Sequence, residues 1–560
     1  MKKISVLYLV LSVFLFSSSL VNANLGENET IPQTIIAPSP KDVTIPQTII
    51  TPGPNDVTIS YEIANDGSDD SRVIQEAIDT VSLKGGGNVY IPKGKYIINS
   101  IIILKNKVNI IGDSRETELV FTDDFSKGNT KNPNSIYISG IWNESWEDTY
   151  DKGKADKFTL QNLNISSTNS KNSLRTLLFL QNTDGVIIDN CVFSNIGSSS
   201  SVGIYAFSCN YNLTIKNSEI INTTDENVGG GIWVCNLNSA SNDVNKTYNV
   251  ILYNNTFRSR CGDESLALYG RDGKLQKITV MENKFITHSS SKQAQSKVLA
   301  IFGKAYSTTS GRPGVGIEDA YIYRNTFDVE DVGAGVICVG STVSSKPEAD
   351  ILKDIIIEEN TINLKIENIE SNNACGILGY DSQNISNVKA INNTITNMGK
   401  DVCKYGIYNI PIAISNKING NFKNASIASC GNAELNIISN NQSSAKGACA
   451  IQNTINSIGN TINDCTIGIK VGAYGTYQIT ENNIGLQNKE SVYGIWVSLP
   501  LDNTQTVIQT GTQTVNIERN TVTAPNKGSV AYVLLGTNVT MIDNIKIGDG
   551  KYSNISGLGK

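Results

Sequence analysis

Ile187-Ile188-Asp189-Asn190-Cys191-Val192 states a phrase that recurs to the end of the chain. An apolar pair is followed by one or two polar residues, an Asn and another apolar residue. It returns as Tyr323-Arg324-Asn325-Thr326-Phe327, as Glu359-Asn360-Thr361-Ile362 and as Arg519-Asn520-Thr521-Val522. The Asn falls at positions 162, 190, 217, 255, 283, 325, 360, 393, 421, 441, 460, 482, 520 and 544. Gaps of about 19–42 residues lie in the period range of solenoids.

Each unit holds two apolar runs. One precedes the Asn, as in Val250-Ile251-Leu252-Tyr253. The other starts near a Gly, as in Gly203-Ile204-Tyr205-Ala206-Phe207, Gly231-Ile232-Trp233-Val234 and Gly494-Ile495-Trp496-Val497. Short strands at one period suit parallel strands wound into a coil, each pairing with its copy one turn away. One coil cannot bury its own apolar face, so the stack supplies the core. The Asn suits a left-handed turn, and stacked Asn side chains can bond along the axis.

Ahead of the repeats, Asp66-Gly67-Ser68-Asp69-Asp70-Ser71 offers N-cap residues. Ile74, Ala77, Ile78 and Val81 follow at helical spacing, and Gly85-Gly86-Gly87 ends the helix. An amphipathic helix there would cover the open end of the coil. Together with Asn88-Val89-Tyr90-Ile91-Pro92-Lys93-Gly94-Lys95-Tyr96, this segment resembles the N-terminal cap of the pectin-lyase-like superfamily. The resemblance covers roughly residues 60–550. It implies an all-β, single-stranded, right-handed parallel β-helix with an N-terminal capping helix. The superfamily holds polysaccharide lyases, hydrolases, epimerases, tailspikes and adhesins, so function has to be argued from the site. Cys261-Gly262-Asp263-Glu264 resembles the Gly-Asp-Asp segment of polygalacturonases, and Asn222-Thr223-Thr224-Asp225 loosely echoes their Asn-Thr-Asp. The Gly-His-Gly and Arg-x-Lys segments of that family do not occur, nor does the Arg-x-Pro-x-x-Arg of classical pectate lyases.

Lys2 and Lys3, the apolar run Ile4–Phe16 and Val21-Asn22-Ala23 read as a signal peptide over residues 1–23. The run is too short for a membrane span. Residues 24–58 read as a Pro-rich linker carrying one 14-residue unit twice, at Thr30–Pro38 and Thr44–Pro52. Residues 59–560 form the β-helix domain. The reading is a secreted or cell-surface protein with no membrane span after cleavage. A net charge of -6 excludes a basic nucleic-acid face. The ten Cys contain no CxxC pair, which speaks against zinc. They read as small core residues, with a Cys209–Cys235 bridge left open. Sequons occur at Asn143, Asn164, Asn212, Asn245, Asn384, Asn424 and Asn538.

Offsets from each Asn single out a polar cluster. Asp225 and Glu226 lie eight and nine past Asn217, and Asp263 and Glu264 lie eight and nine past Asn255. Arg260 lies five past Asn255, and His288, the only His, lies five past Asn283. Stacked carboxylates with Arg and His can divide acid and base roles. They suit hydrolysis, elimination from a uronate or Ca²⁺ binding. The alternative is a polar turn in which Arg260 pairs with Glu264. Tyr205 and Trp233 alternate outward beside Tyr269, with Trp142 and Trp146 nearby, as flat faces for sugar rings. The expected function is cleavage of an extracellular, acidic polysaccharide by β-elimination or hydrolysis, with Ca²⁺ the one cofactor weighed. The alternative is a non-catalytic adhesin or structural β-helix that binds carbohydrate.

Overall fold

The Asn phrase marks a corner between two short parallel strands. In a computed structural model the chain is described at residues 43–60, 66–122, 140–145, 155–168, 176–196, 202–222, 230–236, 246–259, 264–271, 273–287, 295–304, 316–341, 352–366, 374–380, 385–399, 403–439, 441, 447–489, 491–498, 512–535 and 538–554. All of these fall within one compact unit, Ile36–Lys560.

Among the described residues every strand pairing is parallel and joins one rung to the next. Val192–Ser194, for example, lies between Asn164–Ser167 and Glu219–Asn222. Two sheets result, of 32 and 16 strands. The larger folds into two faces, joined where the long strand Val202–Lys216 runs through both. The coil therefore has three faces. We call them the first (Val202–Ala206 and its rung mates), the second (Leu213–Lys216 and its mates) and the third (Glu219–Asn222 and its mates). The chain runs second, third, first around each rung. This is the right-handed parallel β-helix, the hand that right-twisted strands favour in crossover connections.

Inward positions stack like on like. Phe257, Phe285 and Phe327 lie 4.5 and 4.6 Å apart with rings almost parallel. Burying each such ring contributes about 1.5–3 kcal/mol. The first face continues the pattern with Ile204, Ile232, Leu266, Leu299 and Ile337, all fully buried.

The corner between second and third faces uses two residues with separate duties. The left-handed residue comes first: Asn190, Asn217, Asn254, Arg324 and Glu359 all have φ between 51 and 54°. The next residue points inward. From Asn255 onward it is Asn283, Asn325, Asn360, Asn393, Asn416, Asn436, Asn460, Asn482, Asn520 and Asn544. Each Nδ2 and each backbone N–H in this series donates to the Oδ1 of the next Asn, as in the 3.0 and 2.9 Å bonds from Asn325 to Asn360. This corrects the reading from sequence in two ways. Asn162, Asn190 and Asn217 belong to the left-handed column, while Leu163, Cys191 and Ser218 fill the inner one. Asn416 and Asn436, not Asn421 and Asn441, continue the ladder.

The helix Ser71–Leu83 caps the first rung with Ile74, Ala77, Ile78 and Val81 buried. Asp69 receives the Ser71 N–H at 3.0 Å, while Asp70 turns to the Ile97 N–H at 2.8 Å. Before it, the Pro-rich stretch lies against the coil. Thr51 O accepts from Asn88 Nδ2 at 3.1 Å and Pro46 O from Lys216 Nζ at 2.5 Å. Asn88 and Lys216 sit four rungs apart. That is about 19 Å, which five extended residues match at roughly 17 Å. Residues 46–51 thus form a strap along the coil axis.

The nine described Cys are all buried and unbridged, Cys209 and Cys235 among them. Burial raises the Cys191 thiol to about 12 and that of Cys209 to about 11. Asn143 is fully buried and its amide donates to Asp156 and to Gln181 O, both at 2.7 Å, which removes it as a glycan acceptor.

Candidate functional site

The outer side of the first face is where successive rungs stop repeating. The strand position two before the inward Leu266 holds Gly230, Glu264, Lys297, Gly335 and Cys375 on consecutive rungs. The outward position after the inward residue holds Trp142, Phe179, Tyr205, Trp233, Ala267, Ala300, Cys338 and Leu378. Four aromatic rungs thus give way to two fully buried alanines; we call the place beside these small side chains the hollow.

Glu264 and Lys297 line that hollow. Glu264 is 2% exposed, and its Oε1 lies 2.9 Å from Lys297 Nζ. A carboxylate so buried needs a partner to stay charged. Lys297 remains 21% exposed and carries the charge toward solvent. Its ammonium sits 5.3 Å from the centre of the Phe302 ring, a cation–π distance. Trp233 closes one end. Its indole occupies the space above Gly230, where a Cβ would meet Nε1 at 2.2 Å. Tyr269 and Phe302 form the side, their rings 6.3 Å apart.

Tyr380 closes the other end. Gly340 leaves room for it, since a Cβ there would meet the Tyr380 Cβ at 2.5 Å. Its ring lies 5.4 Å from Phe302 and its hydroxyl against Cys338. The residue as a whole is 44% exposed, so the ring also faces solvent. Burial of the hydroxyl end, then the neighbouring thiols and the charge of Glu264, push its pKa above the usual phenol range. The group therefore holds its proton through neutral pH.

The residues singled out from sequence divide clearly. Glu264 is in the hollow. Tyr205, Trp233, Tyr269 and Trp142 share one outward apolar cluster with Phe179 and Phe207. Tyr205 and Trp142 point outward but are only 2% and 6% exposed, so they are packed rungs; Trp233 and Tyr269 are the part-exposed ones. Asp225, Glu226, Arg260, Asp263, His288 and Trp146 lie outside the described residues. The offsets that suggested stacked carboxylates are equal when counted from the Asn but not when counted from the strand register. Glu219 pairs with Thr256, so Asp225 and Glu226 stand six and seven past their strand mark and Asp263 and Glu264 seven and eight past theirs. The cause is the corner: Asn217 is the left-handed residue and Asn255 the inward one. Arg260 and His288 do share an offset, each following a residue of the pair Ser259 and Thr287. Glu264 is held by Lys297; its expected alternative partner, Arg260, lies outside the described residues. Lys297 and Tyr380 were missed from sequence. They sit 33 and 116 residues beyond Glu264, and nothing local marks them. Among the described residues no group of His, Cys, Asp and Glu fits a metal ion.

A family model described as rhamnogalacturonase A/epimerase, pectate lyase-like, matches residues 57–150, the part that holds the capping helix. No curated protein matches the chain. The surface adhesin PfbA of Streptococcus pneumoniae is similar at 14% identity, over 79% of this chain and 91% of that one, with a TM-score of 0.37. A tailspike protein of an E. coli bacteriophage, solved with a hexasaccharide, matches at 13% identity over 87% and 75%, TM-score 0.41. An alpha-1,3-glucanase from Streptomyces thermodiastaticus matches at 11% identity over 91% and 71%, TM-score 0.34. At these scores none of the three bears on residues or activity.

Proposed function

We propose that the protein is a secreted or cell-surface enzyme that cleaves an acidic polysaccharide, with the hollow around Glu264, Lys297 and Tyr380 as its centre. The observation that carries the reading is the break in the first face. A Glu–Lys pair with its carboxylate buried stands between an aromatic row and a solvent-facing tyrosine. Lys297 suits the carboxylate of a uronate, and Glu264 fixes the lysine from below. Neutralising that carboxylate acidifies the adjacent C–H. β-Elimination then follows: a base takes this proton, the C–H electrons form the new double bond, and the glycosidic C–O bond breaks. Tyr380, still protonated at neutral pH, gives its proton to the departing oxygen. The base is assigned to the acidic and His residues named from sequence, Asp225, Glu226, Asp263 or His288, with Arg260 as a second cation. Hydrolysis would use the same hollow, with water attacking in place of proton abstraction.

The test is incubation of the full chain with acidic polysaccharides of several kinds. Unsaturated, ultraviolet-absorbing ends support elimination, and reducing ends without them support hydrolysis. Tyr380→Phe should lower turnover by about 100-fold, the usual scale for losing a proton donor. Binding with no product on any polysaccharide would replace this reading with the adhesin.

A further inference from the structure

A second outward aromatic group lies further along the same face. Tyr408, Ala428, Gln452, Lys470 and Trp496 follow one another on consecutive rungs of one outward column. Tyr405 and Tyr493 stand beside its two ends. Tyr405 and Tyr408 have ring centres 4.4 Å apart and nearly parallel, and Tyr493 and Trp496 have theirs 4.7 Å apart. All four rings are partly exposed and rest on the buried small residues Ala425, Ala428 and Cys449, with Ile467. Small residues beneath leave room for each pair of rings to pack above the sheet and stay partly exposed. Tyr408 and Trp496 are four rungs apart, about 19 Å, the reach of roughly four sugar rings in an extended chain.

The charge between the two aromatic ends is positive. Lys470 lies 5.7 Å from the Trp496 ring centre, within cation–π reach. Lys404 and Lys423 flank Tyr405, close enough that Lys423 helps hold the Lys404 ammonium below its usual range, after burial. Neither Lys423 nor Lys470 forms an ion pair among the described residues. Asn424 adds a polar contact, its Nδ2 donating to Tyr405 Oη at 2.8 Å.

We infer that this surface is a separate holding site for an acidic polysaccharide, with Tyr405/Tyr408 and Tyr493/Trp496 as stacking platforms and Lys423 and Lys470 facing the carboxylates. It rests on the proposed preference for acidic sugars but not on cleavage. Between the hollow and this surface stand Leu378 and Cys375, both apolar. A chain long enough to span both would be gripped at two points, while a short one would meet only the hollow.

Affinity electrophoresis in gels holding polygalacturonate, alginate or neutral dextran tests the inference. Trp496→Ala and Lys470→Ala/Lys423→Ala should each weaken retardation by the two acidic polymers at least fivefold, with dextran inert throughout. Cleavage of short acidic oligosaccharides should stay unchanged in these variants, which also shows that they fold. Retardation equal to that of the unaltered chain would overturn the site. Loss of retardation in Lys297→Gln alone, with Trp496→Ala unaffected, would place all binding at the hollow and also overturn it. If no polysaccharide is cleaved but Trp496→Ala still loses retardation, the cleavage reading fails and this one stands.

Discussion

The inner corner of the coil and the outer side of its first face are built from the same backbone and behave in opposite ways. At the corner one residue type repeats. Asn360 donates from Nδ2 to Ile322 O, Glu358 O and Asn393 Oδ1, and its own Oδ1 takes two bonds from Asn325. Every rung satisfies the next, so the column has nothing left for a ligand. On the first face, Gly230, Glu264, Lys297, Gly335 and Cys375 succeed one another and no two neighbours are alike. Repetition stabilises the coil, and its absence leaves groups free to differ in charge, size and proton affinity.

The strongest test of this contrast removes one member of the ladder. Asn360→Ala should cost about 3–5 kcal/mol, because it strands several buried partners at once. Asn544→Ala, on the last described rung, should cost only about 1–2 kcal/mol. Equal shifts in the denaturation midpoint would show that the ladder is not a chain of mutual satisfaction. The reverse profile is expected on the first face. Tyr380→Phe should leave that midpoint in place while turnover falls about 100-fold. A phenol whose folded pKa is raised stays protonated through neutral and mildly alkaline pH. The acid-dependent limb of the rate should therefore fall only above the ordinary phenol range, and a fall near pH 8 would exclude Tyr380 as proton donor.

A smaller effect separates the strap from both regions. Lys216→Ala removes the bond to Pro46 O and should cost about 1 kcal/mol. Limited proteolysis should then cut within residues 43–51 faster than in the unaltered chain; no change in rate would mean that the contact does not hold the strap. The least effect is expected from the thiols. Cys191, Cys338, Cys403, Cys430 and Cys449 are each raised to about 12, so their reactive thiolates are scarce at pH 8. The nine described Cys should stay unlabelled by a thiol reagent in the native chain, as mass spectrometry would read, and react on unfolding. Rapid native labelling of Cys338 would mean that the hollow opens further than its packing implies.

Much of the fold was legible because it is periodic. Gly followed by Ile marks the first face for a steric reason: a Cβ on Gly231 would meet Ser265 O at 2.3 Å, and one on Gly494 would meet Ala531 O at 2.4 Å. The capping helix was legible from Ile74, Ala77, Ile78 and Val81. The Asn ruler worked to within one residue except at Asn421 and Asn441, which lie five residues past the ladder's Asn416 and Asn436; on the earlier rungs it slipped by one. It failed because Asn serves both the left-handed position and the inward one, and a bare sequence does not separate them. That single slip is why the offsets of Asp225 and Glu226 equal those of Asp263 and Glu264 when counted from the Asn but not when counted from the strand register.

The sequence by itself determined a stack of parallel rungs, since a period and an alternation depend only on near neighbours along the chain. Which side chains share a site was decided by tertiary structure alone. Glu264, Lys297 and Tyr380 meet because loops of unequal length return the chain to the same face at adjoining heights. Loop length varies from rung to rung, while the strand register between rungs does not. Counting residues therefore finds the coil but not the neighbours across it.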